Sequence, residues 1–329
     1  MNNDETYNAS EDKTSPEYWD FYYDARYCGP SREAYVGEMV SRYRNANYDP
    51  AFSSGLQGTE VDTSLCVSEE LREKADREQQ AVEREGLRPD YHRFSNGMHT
   101  CGVVNRNCDV IVSYDRYSNI GFYHNGLARV YNRKTNKFGF IDRHGNEVIP
   151  CIWSSAGEFS QYLAGVKDES EECGYVDVTG KLVIPCDWAE SWPFQEGLAR
   201  VQDYRGMIGM INQRGEEVIP CIWYGMGDFS EGLAGVKNEE GKCGFVDRTG
   251  SLVISCRWKN VWTFCEGLAV VQNFNERLGY INKKGYLVIP CCWKKANFFK
   301  DGFAKVSKSK TIFLKDKWVY IDKEGRIVK

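Results

Sequence analysis

The chain has 329 residues, 42% of them hydrophobic and 27% charged, a balance that excludes global disorder. A net charge of −5 argues against nucleic-acid binding, and the absence of any apolar run near the ~18 residues of a membrane helix argues against membrane insertion. The 13 cysteines are odd in number, and the opening Met1–Lys13 run has neither the basic nor the apolar part of an export signal, so reduced thiols and a cytoplasmic location are expected.

Residues 1–97 read as a separate, partly α-helical region carrying 20 Asp and Glu against 11 Lys and Arg. Ser15-Pro16-Glu17 has the cap and first-turn proline of a helix start, followed by the aromatic cluster Tyr18, Trp19, Phe21, Tyr22 and Tyr23. A second helix is predicted over 31–45, and a Gly, Ser and Thr-rich loop over 50–67. From Ser68 an exposed helix is predicted, with acids in its first turn, Glu70/Lys74 and Glu73/Arg77 at i,i+4, and a thin apolar stripe of Leu71, Ala75 and Val82. The other end of the chain has the opposite charge: residues 294–329 hold 11 Lys and Arg against four acids, a basic counterpart on which the acidic region, or an acidic partner, can dock.

Residues 98–329 are a repeat array. Trp153, Trp188, Trp223, Trp258 and Trp293 are each 35 residues apart, and Phe159, Phe194, Phe229, Phe264 and Phe299 keep the same step, as do Gly139, Gly174, Gly209, Gly244 and Gly279. Each unit has an alternating segment such as Leu198–Val201, a second segment such as Gly209–Asn212, a turn such as Asp177-Val-Thr-Gly180, and a third segment such as Leu182–Ile184. Asp or Asn with Gly three residues later is hairpin chemistry, so each unit is predicted to be a three-stranded antiparallel meander. Units fall near 102–138, 139–173, 174–208, 209–243, 244–278 and 279–318, with a partial one at 319–329. Pro150, Pro185, Pro220 and Pro290 end the third strand or mark an edge, and the following Cys-x-Trp begins an irregular link.

A longer period lies over this one. Residues 151–184 match 221–254 at 21 of 34 positions, whereas 151–185 match 186–220 at only 12 of 35, so the unit works in pairs. One member has Gly157 or Gly227, and the other has Trp192 or Trp262. Units that point alternately to opposite sides of an open β-hairpin solenoid explain the pairing; a β-propeller is the competing architecture.

The run FSEGLAGVKNEEGKCGFVDRTGSLVI resembles the WG-repeat family, whose units read roughly F-S-E-G-L-A-x-V, W-G-aromatic-(Ile/Val)-D-x-x-G and V-I-P. At the naming tryptophan this chain has Phe138, Cys173, Ile208, Cys243 and Leu278, with Trp318 retained before Val319. The resemblance covers about 98–329 and implies an all-β repeat fold with a binding or scaffold role. The family is common in bacteria and is similar in its aromatic hairpins to choline-binding cell-wall repeats.

No catalytic constellation stands out. C-x-x-C is absent, the recurring Cys151, Cys186, Cys221, Cys256 and Cys291 lie one per unit, and Asp142, Asp177, Asp247 and Asp322 recur in turns, so neither metal nor cofactor is expected. The tryptophan and phenylalanine columns are assigned to the repeat core. Candidate contacts are Trp192 and Trp262, which occur only in alternate units, and the variable strand positions Arg200, Val270 and Lys305, which share a column with Gly165 and Gly235. The leading expectation is a non-enzymatic protein-interaction scaffold; the second is a carbohydrate or cell-envelope ligand stacked on the alternate tryptophans.

Overall fold

The computed structural model describes residues 67–93, 99–308 and 318–328; the helices predicted at Ser15 and over 31–45, and all but the last residue of the 50–67 loop, lie outside the described residues. The first element is helix α1, Glu69–Glu85. Ser68 caps it, accepting the Leu71 N–H at 3.4 Å, and Gly86 ends it at φ 64°, its N–H bonded to the Glu83 carbonyl. Of the predicted stripe, Ala75 and Val82 are buried and Leu71 half-buried.

Seven small antiparallel sheets follow in chain order. The first contains β1 (Arg88–Arg93), β2 (His99–Val104) and β3 (Val110–Tyr117). The second has β4 (Asn119–His124), β5 (Leu127–Asn132), β6 (Lys137–Ile141) and β7 (Glu147–Trp153). The third holds β8 (Ser155–Ala156), β9 (Leu163–Lys167), β10 (Cys173–Asp177) and β11 (Leu182–Trp188). In the fourth are β12 (Glu190–Ser191), β13 (Leu198–Gln202), β14 (Ile208–Asn212) and β15 (Glu217–Trp223). The fifth comprises β16 (Gly225–Met226), β17 (Leu233–Lys237), β18 (Cys243–Asp247) and β19 (Leu252–Trp258). The sixth is built from β20 (Asn260–Cys265), β21 (Leu268–Gln272), β22 (Leu278–Asn282) and β23 (Leu287–Trp293), and the seventh from β24 (Lys295–Ala296), β25 (Ala304–Ser307) and β26 (Trp318–Ile321).

Two features differ from the sequence reading, and of its two alternatives at the proline the edge strand holds. The link after each tryptophan contributes a short fourth strand, as where Ser155 and Ala156 pair with Lys167 and Val166. Strand β7 continues through Pro150 and Cys151 to Trp153 as the edge of its sheet, where the missing proline N–H leaves no ladder bond unmade. The array also begins ahead of residue 98, because Arg88–Arg93 pairs with His99–Val104.

Two glycine columns recur along the array for different reasons. Between β6 and β7 the register jumps from Phe140↔Ile149 to Phe138↔Trp153, so the bulged edge strand rides over Gly139. A Cβ there would lie 2.5 Å from the Ile149 carbonyl oxygen, and at Gly244 it would lie 2.3 Å from that of Ile254. The other column turns the first hairpin: Glu196-Gly197, Glu231-Gly232 and Glu266-Gly267 place both residues at positive φ, as a two-residue type I′ turn requires.

Between consecutive sheets lie six apolar cores. The core between the sixth and seventh sheets, for example, joins Leu268, Val270, Tyr280 and Ile289 to Phe299, Ala304, Val306 and Ile321. Ring pairs cross these junctions at near-constant spacing, 4.8 Å for Phe140–Phe159, Tyr175–Phe194 and Phe245–Phe264, and 4.9 Å for Tyr280–Phe299. Six cores for seven sheets make an open row; among the described residues no core joins the first sheet to the last.

Candidate functional site

Trp223, Trp258 and Trp293 are buried between sheets, and Trp153 and Trp188 pack against the cores half-buried. Phe159, Phe194, Phe264 and Phe299 are buried as well, while Phe229 is half-buried beneath the Arg248 guanidinium. The turn carboxylates are occupied locally: Asp177 accepts the N–H groups of Thr179 and Lys181, and Asp247 those of Thr249 and Ser251. Among the described residues no group of three or more His, Cys, Asp or Glu is placed to hold a metal.

The alternate tryptophans are not open stacking platforms. The Arg200 guanidinium lies 4.6 Å from the Trp192 ring centroid, donates to the Met226 carbonyl at 2.6 Å and stands 3.5 Å from Asp228. Val270 is only 3% exposed and belongs to the core between the sixth and seventh sheets, against which Trp262 packs, so its assignment as a contact position is corrected. A small valine is masked there because the next sheet covers its strand face.

These residues account for the pairing of repeats. Gly165 and Gly235 face the first strand of the following sheet, where a Cβ would meet Ser191 Oγ at 3.2 Å and Val261 Cγ2 at 3.0 Å. At the intervening junctions a larger residue reaches across instead, as Arg129 does to the Ala156 carbonyl at 2.8 Å and Arg200 to that of Met226. Large therefore faces small at one junction and small faces large at the next, which has a seventy-residue period in an array of 35-residue sheets.

One face of the row carries helix α1 and the turns beneath it. Gln79 accepts the Gly126 N–H at 3.1 Å, Arg143 bonds Glu78 at 2.9 Å and Glu85 at 2.6 Å, and the Tyr162 hydroxyl donates to Asp76 at 3.0 Å. Tyr162 stands at φ 69° where the other hairpins have glycine, a strained position held by the helix it touches. Farther along, the turn glutamates are clamped by the following sheet, Glu196 by Arg248, Glu231 by Lys283 at 3.0 Å and Glu266 by Lys323 at 3.1 Å. Burial opposes ionisation of Glu231, but the Lys283 ion pair and the Gly267 N–H outweigh it and hold the carboxyl below its usual range.

The surface that the sequence reading missed is the outer face of the seventh sheet. Leu127, Leu163, Leu198, Leu233 and Leu268 are at most 8% exposed beneath the next sheet, but Phe303 in the same column is 47% exposed. Phe140, Tyr175, Met210, Phe245 and Tyr280 are at most 3% exposed, whereas Tyr320 is 44% exposed. Between them Lys305, the one predicted contact residue on this face, lies opposite Tyr320 with its ammonium 5.1 Å from the Trp318 ring centroid. The first sheet ends the row differently. Arg88 and Asp90 take the register of Ala269 and Val271, and Asp90 accepts the Tyr114 hydroxyl at 2.6 Å, a polar cap in place of an aromatic one. The column alignment contains this signal, but only once it is known which columns face forward.

Comparison with known proteins places the chain. Solved structures similar to it include the computationally designed Ika8 protein (12% identity, 70% of this chain and 80% of that one, TM-score 0.38). BamB from Moraxella catarrhalis (13%, 73% and 86%, 0.37) and the WD40 beta propeller domain of Doa1 (10%, 63% and 82%, 0.29) are others. No curated protein matches. The WG containing repeat model matches five times, over 138–170, 174–204, 208–243, 244–275 and 279–311, each match running from the last two strands of one sheet into the first two of the next. The chain belongs to the WG containing repeat family.

Proposed function

We propose that this protein is a non-enzymatic scaffold that binds a protein partner through the outer face of its seventh sheet. The observation that carries the reading is the exposure of Phe303 and Tyr320 in columns that every earlier sheet keeps buried. Aromatic side chains are enriched at the centres of protein interfaces. The interior residues support a structural part for the rest of the array, since the recurring acids serve turns and the recurring aromatics serve junctions. A carbohydrate site on Trp192 is disfavoured because Arg200 covers one face of the ring.

Photocrosslinking tests the reading. A benzoylphenylalanine at position 303, introduced in the native host, should trap one defined protein, while the same probe at Phe274, an exposed aromatic in the turn between β21 and β22, should not. Equal labelling from both positions, or none from 303, would overturn it.

A further inference from the structure

Among the described residues five sheets have four strands, and each ends on a seven-residue edge strand, β7, β11, β15, β19 or β23. An edge strand offers backbone donors and acceptors to any other strand, and proline is one of the devices that blunt it. Pro150, Pro185, Pro220 and Pro290 occupy one column in four of these strands, but β19 has Ser255 there. The first sheet also has a serine in this column, Ser113 in β3, where two exposed charged residues, Asp115 and Arg116, follow and guard the edge. In β19 the next residue is the neutral Cys256, and Leu252 and Val253 just before are 42% and 46% exposed.

The serine changes what the backbone offers. The Ile254 carbonyl oxygen points at β18, where it would lie 2.3 Å from a Cβ on Gly244, so across the trans peptide the Ser255 N–H points off the edge. The Cys256 nitrogen also faces Gly244, 2.8 Å from the same point, which turns the Ser255 carbonyl outward. Ile254 pairs with Phe245, and Val253, which alternates with it, directs its own polar groups outward as well. Strand β19 therefore presents a donor and an acceptor at both Val253 and Ser255, whereas its proline-bearing sisters lack the second donor.

This strand is complementary to itself. Two copies paired antiparallel about an axis at Ile254 set Val253 of each opposite Ser255 of the other, and half of the backbone bonds so formed come from the Ser255 N–H groups. Arg257 falls opposite Ser251, so no like charges meet along the strand. The axis of such a pair is normal to the sheet and runs along the row, which turns the adjoining rim of the sixth sheet toward its own counterpart. There Tyr286, Leu287 and Val288 are 68%, 46% and 39% exposed, an apolar patch of the kind that marks an interface.

We propose that β19 pairs with its counterpart in a second copy of this chain, joining the two fifth sheets into one continuous antiparallel sheet. Because the axis runs along the row, both seventh sheets face the same way, and the dimer presents two of the terminal faces described above. That last consequence rests on the reading of the seventh sheet as a binding surface; the pairing itself does not.

Sedimentation velocity of the full chain tests the pairing, run from micromolar to submillimolar protein under reducing conditions so that none of the 13 thiols links copies. The wild-type chain should pass from monomer to dimer over that range, and the Val253 and Ser255 amides should exchange more slowly as it does. Ser255→Pro installs the residue that four sister strands already carry, so it should keep its unfolding midpoint and weaken dimerisation by about tenfold or more, the contribution of two backbone hydrogen bonds. Val253→Lys, which keeps every backbone donor and adds a charge to the edge, should weaken it as well. Phe303→Ser, Tyr320→Ser should leave the dimer intact. A wild-type chain that stays monomeric throughout would leave the edge to a strand of another protein and overturn the proposal. So would a dimer that survives both edge variants, or one that is lost in the seventh-sheet variant. A monomer that still traps a partner from position 303 would remove the dimer and leave the reading of the seventh sheet standing.

Discussion

Gly244 and Gly232 lie in the same sheet, and the same substitution at each should act by different physics. At Gly244 an added methyl would be 2.3 Å from the Ile254 carbonyl oxygen and 2.8 Å from the Cys256 nitrogen, both backbone atoms of the bulged edge strand. Relieving that overlap requires strand β19 to move by close to 1 Å, breaking its register on β18, and overpacking of this kind typically costs about 1–3 kcal/mol. Gly244→Ala should therefore cost about 3 kcal/mol, at the upper end because the obstacle is backbone. At Gly232 nothing lies within 4 Å of the added methyl, but φ is 86°, so Gly232→Ala should cost only the left-handed strain, about 1–2 kcal/mol. Asparagine separates the two: it tolerates positive φ and should recover part of the loss at 232, while being worse than alanine at 244. Urea unfolding followed by tryptophan fluorescence, with amide exchange in β18 and β19 to localise the effect, measures both. Equal costs at the two positions, or rescue of 244 by asparagine, would refute the assignment of one column to close approach and the other to backbone conformation.

Three further outcomes follow from the same geometry. Arg200→Met should destabilise by about 1.5–3 kcal/mol, the range for a hydrogen bond to a charged group, and should shift Trp192 emission as the guanidinium 4.6 Å away is lost; unchanged stability and emission would sever the Trp192–Arg200 coupling. Tyr162→Gly should leave global stability within about 1 kcal/mol, because relief of strain offsets the lost Asp76 bond, while amides of Glu69–Glu85 exchange at least tenfold faster; unchanged exchange would mean Tyr162 does not anchor α1. Burial pushes the Cys151, Cys186 and Cys256 thiols up to about 11. Their folded-state values lie above the unfolded one near 9, so the stability they contribute is complete below pH 9 and is lost as pH rises toward 11; a flat profile from pH 9 to 11 in denaturant titrations would contradict this.

Local chemistry made much of the fold legible. The Asp-x-x-Gly turns, the helix beginning at Ser68 and the 35-residue step each depend on residues close together in sequence, and each appears where its spacing predicts. The fourth strand was hidden because β8, β12, β16 and β24 are two residues long, too short to show a periodicity. Pairing of repeats was visible as a seventy-residue echo, but its cause was not: the clearance between Gly165 and Ser191, and the reach of Arg200 to Met226, are relations between sheets. The same limit misplaced Val270, whose column looked variable only because Arg200 and Val270 fill different junctions. Lys305 was singled out as one variable position among several. Its significance comes from Phe303 and Tyr320 beside it, two ordinary core residues by type that become a surface because no described sheet packs on that face.

The central claim is that the array acts through its terminal face and not through its alternate tryptophans. Affinity purification of the intact protein from its native host, run in parallel with Phe303→Ser, Tyr320→Ser and with Trp192→Ala, tests it most directly once each variant is shown to unfold at a comparable denaturant concentration. The account predicts that the protein trapped by the probe at position 303 is recovered with Trp192→Ala and lost with the double variant. Recovery with the double variant and loss with Trp192→Ala would contradict it.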